Sequence, residues 1–168
     1  MADWSPAIAN EFIRRARADG RALTQRHLQK LVYIAHGWNL AVNGKPLTVD
    51  TPKAGDFGPV YTELWGALRD YGGEPVLREI RNSDFTFGFF DQDPQGHAVA
   101  RLDAEEVAVI DRVYRVYGKF QAFQLSALTH HPGTPWTRVY GGGEGRSQDI
   151  PADMIRSYFV DLAAKTAA

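Results

Sequence analysis

The stretch from Leu28 to Asn43, LQKLVYIAHGWNLAVN, constrains this chain more than any other. Wound at about 3.6 residues per turn, it puts Leu28, Leu31, Ile34, Ala35, Trp38 and Val42 on one broad apolar face. Tyr33, Gly37 and Leu40 add a second apolar edge. Gln25, Gln29, His36, Asn39 and Asn43 share a narrow polar strip broken only by Val32. A helix with so little polar surface is covered by neighbours on several sides. It is therefore expected to run from about 24 to 43 as the central post of a single domain spanning 1–168. Thr24 is placed to cap its start, and Asn43-Gly44 to end it. The polar strip needs partners, because an unpaired buried polar group costs about 1–3 kcal/mol. A neighbouring segment is the expected source; a binding partner or groove is the alternative.

The remaining elements follow from local signals. Ser5-Pro6 supplies a capping hydroxyl and a proline for an opening helix with Ile8, Phe12 and Ala16 on one side, stopped by Gly20. Residues 45–60 are punctuated by proline and glycine, with short extended segments around Leu47 to Val49 and Lys53 to Phe57. Pro59 is expected to start a third helix, with Val60, Leu64, Leu68 and Tyr71 on one face. From Val76 to Arg101, FTFGFF, the turn cluster DQDPQG and the alternating HAVAR predict a hairpin. Asp103 and Glu106 have capping-box spacing for a helix to about Tyr117, its core face carrying Val107, Ile110, Tyr114 and Tyr117. A shorter helix over Phe123 to Thr129 follows, then a turn opened by Thr134-Pro135. Residues 141–149, GGGEGRSQD, are expected as a flexible surface loop. Pro151 opens a last helix with Ile155, Tyr158, Phe159 and Leu162 inward. The order predicts an α+β fold, mostly α: helices around the central post, with a small antiparallel sheet or hairpin.

Composition closes off several functions. The formal net charge of -1 over 168 residues argues against bulk nucleic acid or an anionic membrane as partner. The absence of cysteine removes disulfides, thiolate metal sites and cysteine nucleophiles together, and suits a reducing cytoplasm. No basic-then-apolar leader opens the chain, and no apolar run reaches the roughly 18 residues of a membrane span.

Four stretches occur together in one order: KLVYIAHGWNLAVNGKPL, AGDFGPVYTELWGALRDYGG, YGKFQAFQLSALTHHPGTPW and IPADMIRSYF. With their Ala-His-Gly-Trp, Gly-Pro-Val and Leu-Thr-His…Pro-Trp elements they resemble the Panacea-domain, or SocA-like, antitoxin family, over about Leu28 to Phe159. The resemblance implies a bacterial antitoxin that neutralises a toxin made from the neighbouring gene, a folded protein-binding module rather than an enzyme, without a cofactor. The family's namesake is described as a proteolytic adaptor that hands its toxin to the ClpXP protease. One departure is Asp56-Phe57 before Gly58-Pro59, where a Lys/Arg-Tyr pair is common, so no role of a basic group carries over there. The chain closes on LAAKTAA, similar to the tail signal read by the ClpX unfoldase.

Among individual residues, aromatics and histidines stand out. Phe57, Tyr61 and Trp65 lie close in sequence, and aromatic side chains are enriched at binding hot spots. The surface expected to meet a partner comprises His36, Phe57, Tyr61, Trp65, His131 and Trp136. Two other functions stay open on residues alone. One is a hydrolase or metal enzyme using His36, His130 or His131 with an acidic group. Against it, no nucleophile elbow, HExxH or cysteine pair accompanies them, and His130-His131 fits a helix C-terminus. The other is a DNA-binding regulator through Arg14, Arg15, Arg17, Arg21, Arg26 and Lys30, which more simply form a solvated face.

Overall fold

A computed structural model describes residues 1–84 and 91–167. Its helices are α1 (Ser5–Ala18), α2 (Gln25–Asn43), α3 (Thr62–Leu68), α4 (Ala104–Tyr117), α5 (Ala122–His130), α6 (Pro135–Tyr140) and α7 (Ala152–Ala167). Strands β1 (Lys53–Gly55) and β2 (Gly58–Val60) pair antiparallel, with Ala54 opposite Pro59. The architecture is α+β and mostly α. Helix α2 is the post: it packs against α1, α3, α4, α5, α7 and β2. Twelve of its residues are buried, from Leu28 to Leu40. Its last turn runs past this cover, and Val42, expected on the apolar face, is 64% exposed. Among the described residues no helix is long and apolar enough to cross a membrane.

The helix ends show which local signals prevail. Thr24 caps α2, its hydroxyl accepting from the His27 amide at 3.4 Å, and Gly44 closes it in the left-handed region at φ 71°. Asp103 and Glu106 form the expected reciprocal box at the start of α4. The inward stripe of α4 is Glu106, Val109, Ile110 and Val113; Val107, Tyr114 and Tyr117 flank it half-buried. Ser5 does not cap α1. Its amide and hydroxyl both donate to the Asp50 carboxylate, at 2.8 and 2.5 Å, so the anion at this helix start comes from 45 residues away. Pro59 does not start a helix either. It lies in β2 beside Ala54, where its missing N–H costs no bond across a three-residue strand, and α3 begins only at Thr62.

The sheet thus lies at 53–60. The first arm expected for a hairpin over 76–101, residues 85–90, lies outside the described residues. Its turn is present: the Asp93 carboxylate accepts from the Gln95 and His97 amides at 2.9 Å each. Arg81 and His97 form an isolated antiparallel bridge, as do Gln92 and Ala98. Asn10, fully buried in α1, pins this segment by donating to the Ile80 and Ala98 carbonyls and accepting from the Ile80 amide at 2.7 Å. Within the 141–149 segment, Gly141–Gly143 form a 3-10 turn and residues 147–149 run along the outer edge of β1: Ser147 donates to the Ala54 carbonyl, and Ala54 to that of Gln148, each at 2.8 Å.

Candidate functional site

The β1–β2 hairpin is clamped by side chains of α2, of α6 and of the loop after α6. Gln29 of α2 pairs both ways with the Tyr61 backbone, at 2.8 and 3.0 Å. Lys30 donates to the Pro59 carbonyl at 2.8 Å. The Trp136 indole N–H of α6 donates to the Gly55 carbonyl at 2.6 Å, and its ring stacks on Tyr140 at 4.4 Å. Tyr140 in turn donates to Asp56 at 2.8 Å, and Arg146 pairs with the same carboxylate oxygen at 2.7 Å. Gly58, at φ 109°, lets the backbone close over Lys30 and Thr129: a Cβ there would stand 3.3 Å from each.

At the tip of this hairpin Phe57 is 77% exposed, with the Arg26 guanidinium 6.0 Å from its ring centre. A large aromatic presented on a braced turn has little ordering left to lose on binding. Trp65, on α3, is also exposed, with Arg69 5.7 Å above its ring.

The other residues expected on this surface are placed differently. Tyr61 is fully buried and His36 nearly so. The His36 Nδ1 accepts from the Leu47 and Thr48 amides at 3.2 and 3.3 Å. The Thr48 hydroxyl lies 3.2 Å from both His36 Nδ1 and the Tyr61 hydroxyl and donates to the Asp50 carbonyl at 3.0 Å. Burial lowers the His36 pKa to about 4 and raises those of Tyr61 and Asp50. Both rings hold the 47–61 segment under the hairpin. The polar strip of α2 is thereby satisfied from within. Gln25 reaches the Gly72 carbonyl at 2.7 Å, Asn39 that of Lys45 at 2.9 Å, and Asn43 the Asn39 side chain at 2.7 Å.

The geometry also bears on catalysis. His36 Nδ1 accepts from amides, whereas a triad base donates that nitrogen's proton to a carboxylate. His130 closes α5 and His131 caps it. Their rings part, His130 toward Trp136 and His131 toward Tyr158. Among the described residues Glu79, Asp93 and His97 could present ligand atoms within 4.8 Å of one another. Glu79 already pairs there with Arg14 and Arg17.

Arg14 and Arg17, with Arg15 beside them, are ion-paired in this fold. Arg14 and Arg15 pair with Glu11, and Arg15 also with Asp111 at 2.8 Å. Lys30 is not on the solvated face expected for it. It is 5% exposed, and burial lowers its pKa to about 8. Lys30, Asp50, Tyr140 and Arg146 brace the site, and of these Asp50, Tyr140 and Arg146 have no sequence signal of their own. A lysine flanked by Gln29 and Leu31, on a helix buried nearly all round, is the one whose inward position the apolar pattern could have exposed.

Taken together, this is a helical α+β module built around a buried post, which displays an aromatic hairpin tip on a braced base. Its residues 28–137 match the family described as Antitoxin SocA-like, Panacea domain, and the chain belongs to that family. A similar curated protein is "Antitoxin SocA" of Caulobacter vibrioides (strain NA1000 / CB15N). The two are 29% identical over 138 residues, which cover 81% of this chain and 70% of that one. No solved structure matches the chain.

Proposed function

We propose that this protein is the antitoxin of a toxin–antitoxin pair, that it binds a protein toxin encoded by the neighbouring gene, and that it delivers that toxin to the ClpXP protease in the cytoplasm. The carrying observation is family membership across 28–137, with the likeness to a protein named Antitoxin SocA. The exposed Phe57 on its clamped turn supplies the kind of anchor that concentrates binding energy. In this reading Phe57, Trp65, His131 and Trp136 touch the toxin, while His36 and Tyr61 position the hairpin from inside.

Co-expression with the neighbouring gene product, affinity capture and growth provide the test. A captured complex and restored growth are expected. Phe57→Ser should weaken capture at least about tenfold while leaving the melting temperature within about 2 °C, because an exposed tip carries little folding energy. A harmless neighbour that is not captured refutes the antitoxin reading. A toxin half-life that this protein does not shorten in ClpXP-positive cells removes the delivery step alone.

A further inference from the structure

We propose that the corner where α4 turns into α5 is a docking surface for an acidic amphipathic helix of a partner protein. Its apolar side chains are Val116, Phe120 and Phe123, exposed by 48%, 36% and 68%. Its cations are Arg112, Arg115 and Lys119, all exposed. Arg112, Arg115 and Val116 are three and four residues apart and so share one outer face of α4. Lys119 and Phe120 continue from it through the turn, and Phe123 stands in the first turn of α5. This surface does not depend on the antitoxin reading.

The charge of this corner is uncompensated. None of its three cations has an ion pair among the described residues, whereas Arg14, Arg17, Lys45 and Arg101 each meet a carboxylate. The acids nearest in the chain are engaged or distant. Asp111 pairs with Arg15, Asp19 accepts from the Tyr114 hydroxyl, and Glu105 lies two turns, about 10 Å, up the helix from Arg112. The helix dipole accounts for cations at a C-terminus, but not for large apolar side chains left in water beside them. The corner is also braced. His27 Nε2 meets the Phe120 carbonyl at 3.2 Å, Arg21 donates to that of Gly118, and the Gln121 amide donates to the Gln124 side chain at 2.8 Å. A surface held this way has little ordering left to lose on binding. Charge complementarity selects the occupant: carboxylates at three- and four-residue spacing, beside an apolar stripe, match the cations and the apolar side chains in one helix. Nucleic acid and an anionic membrane respond to the charge of a whole face, and this chain is formally -1 over its length.

The test uses the full chain and a fluorescein-labelled synthetic helix of about 16 residues, with leucine along one face and glutamate on the rest. Anisotropy gives its dissociation constant. Binding is expected, and should weaken at least about tenfold when lysine replaces glutamate in the peptide or when its order is scrambled. Arg115→Glu with Lys119→Glu, and separately Phe123→Ser, should each cost about tenfold, with circular dichroism unchanged because all three side chains are exposed. Arg138→Glu, which reverses an exposed cation on α6, should leave binding within about twofold. No anisotropy change at about millimolar protein overturns the proposal. So does equal binding of the scrambled peptide, or a loss from Arg138→Glu as large as that from the double substitution. Tighter binding of single-stranded DNA or of phosphatidylglycerol vesicles than of the peptide overturns it as well.

Discussion

Replacing Gly37 by alanine should destabilise the protein, although alanine is the better helix former. Gly37 sits in the Ala-His-Gly-Trp element of α2, where α7 crosses it. An added Cβ would lie 2.2 Å from Cε2 and 2.4 Å from Cδ2 of Phe159. Carbon atoms prefer about 3.5–4.0 Å, so the ring would have to retreat by roughly 1.3 Å or more. It has little room, because Trp38 and Tyr158 each lie 5.3 Å from it, centre to centre, and Tyr33 6.2 Å. Overpacking typically costs about 1–3 kcal/mol, and a contact this short against a boxed ring belongs at or beyond the upper end. The propensity gain of alanine over glycine returns about 1 kcal/mol. The balance is a loss of about 2 kcal/mol, or roughly 4–8 °C in melting temperature for a chain of this size. Urea unfolding followed by circular dichroism measures it. Phe159→Leu supplies the second arm of a cycle: with the ring gone, Gly37→Ala should become neutral or stabilising, giving a coupling of at least about 2 kcal/mol. A Gly37→Ala protein as stable as the parent, or an additive cycle, would refute the close approach of α2 and α7 as the reason for glycine.

Two further expectations concern buried titrating groups. Lys30 has a pKa of about 8 in the fold against an ordinary 10.5, with burial as the main cause and Arg26 as a second. Between those values the unfolded chain holds a proton that the fold has released. Lys30 should therefore make stability rise by about 2 kcal/mol from pH 8 to 10, a slope that Lys30→Met abolishes in paired urea melts. The His36 ring should titrate near pH 4 by NMR, well below its ordinary 6.5. As pH falls from 6.5 toward 4, the unfolded chain takes up a proton that the fold refuses, so His36 withdraws about 2–3 kcal/mol of stability on acidification. His27, also lowered by burial, acts in the same direction, and Asp50, raised by burial, in the opposite one. A His36 midpoint near 6.5 would show that the ring is not enclosed.

What could be inferred without coordinates was whatever is decided within one turn of chain. The Thr24 and Asp103 caps and the stop at Gly44 are all local: each is decided by a residue and the backbone next to it. What could not be inferred depends on groups brought in from far away. Ser5 carries a good capping hydroxyl, yet Asp50 offers a charged acceptor to both its amide and its hydroxyl, and the stronger long-range pairing prevails. Pro59 is a good helix start, but once Gln29 has claimed the Tyr61 backbone and Lys30 the Pro59 carbonyl, the segment is held extended and the helix waits until Thr62. The candidate site divides along the same line. That Phe57 would stand at a turn is legible in Asp56-Phe57-Gly58-Pro59. That Tyr61, four residues on, would face inward is not, because its burial depends on Thr48, itself held by His36 and Asp50. Helix α2 thus does more than fill the core. Its polar strip sets the course of the 45–61 segment, and that course brings Phe57 out to solvent and turns Tyr61 in.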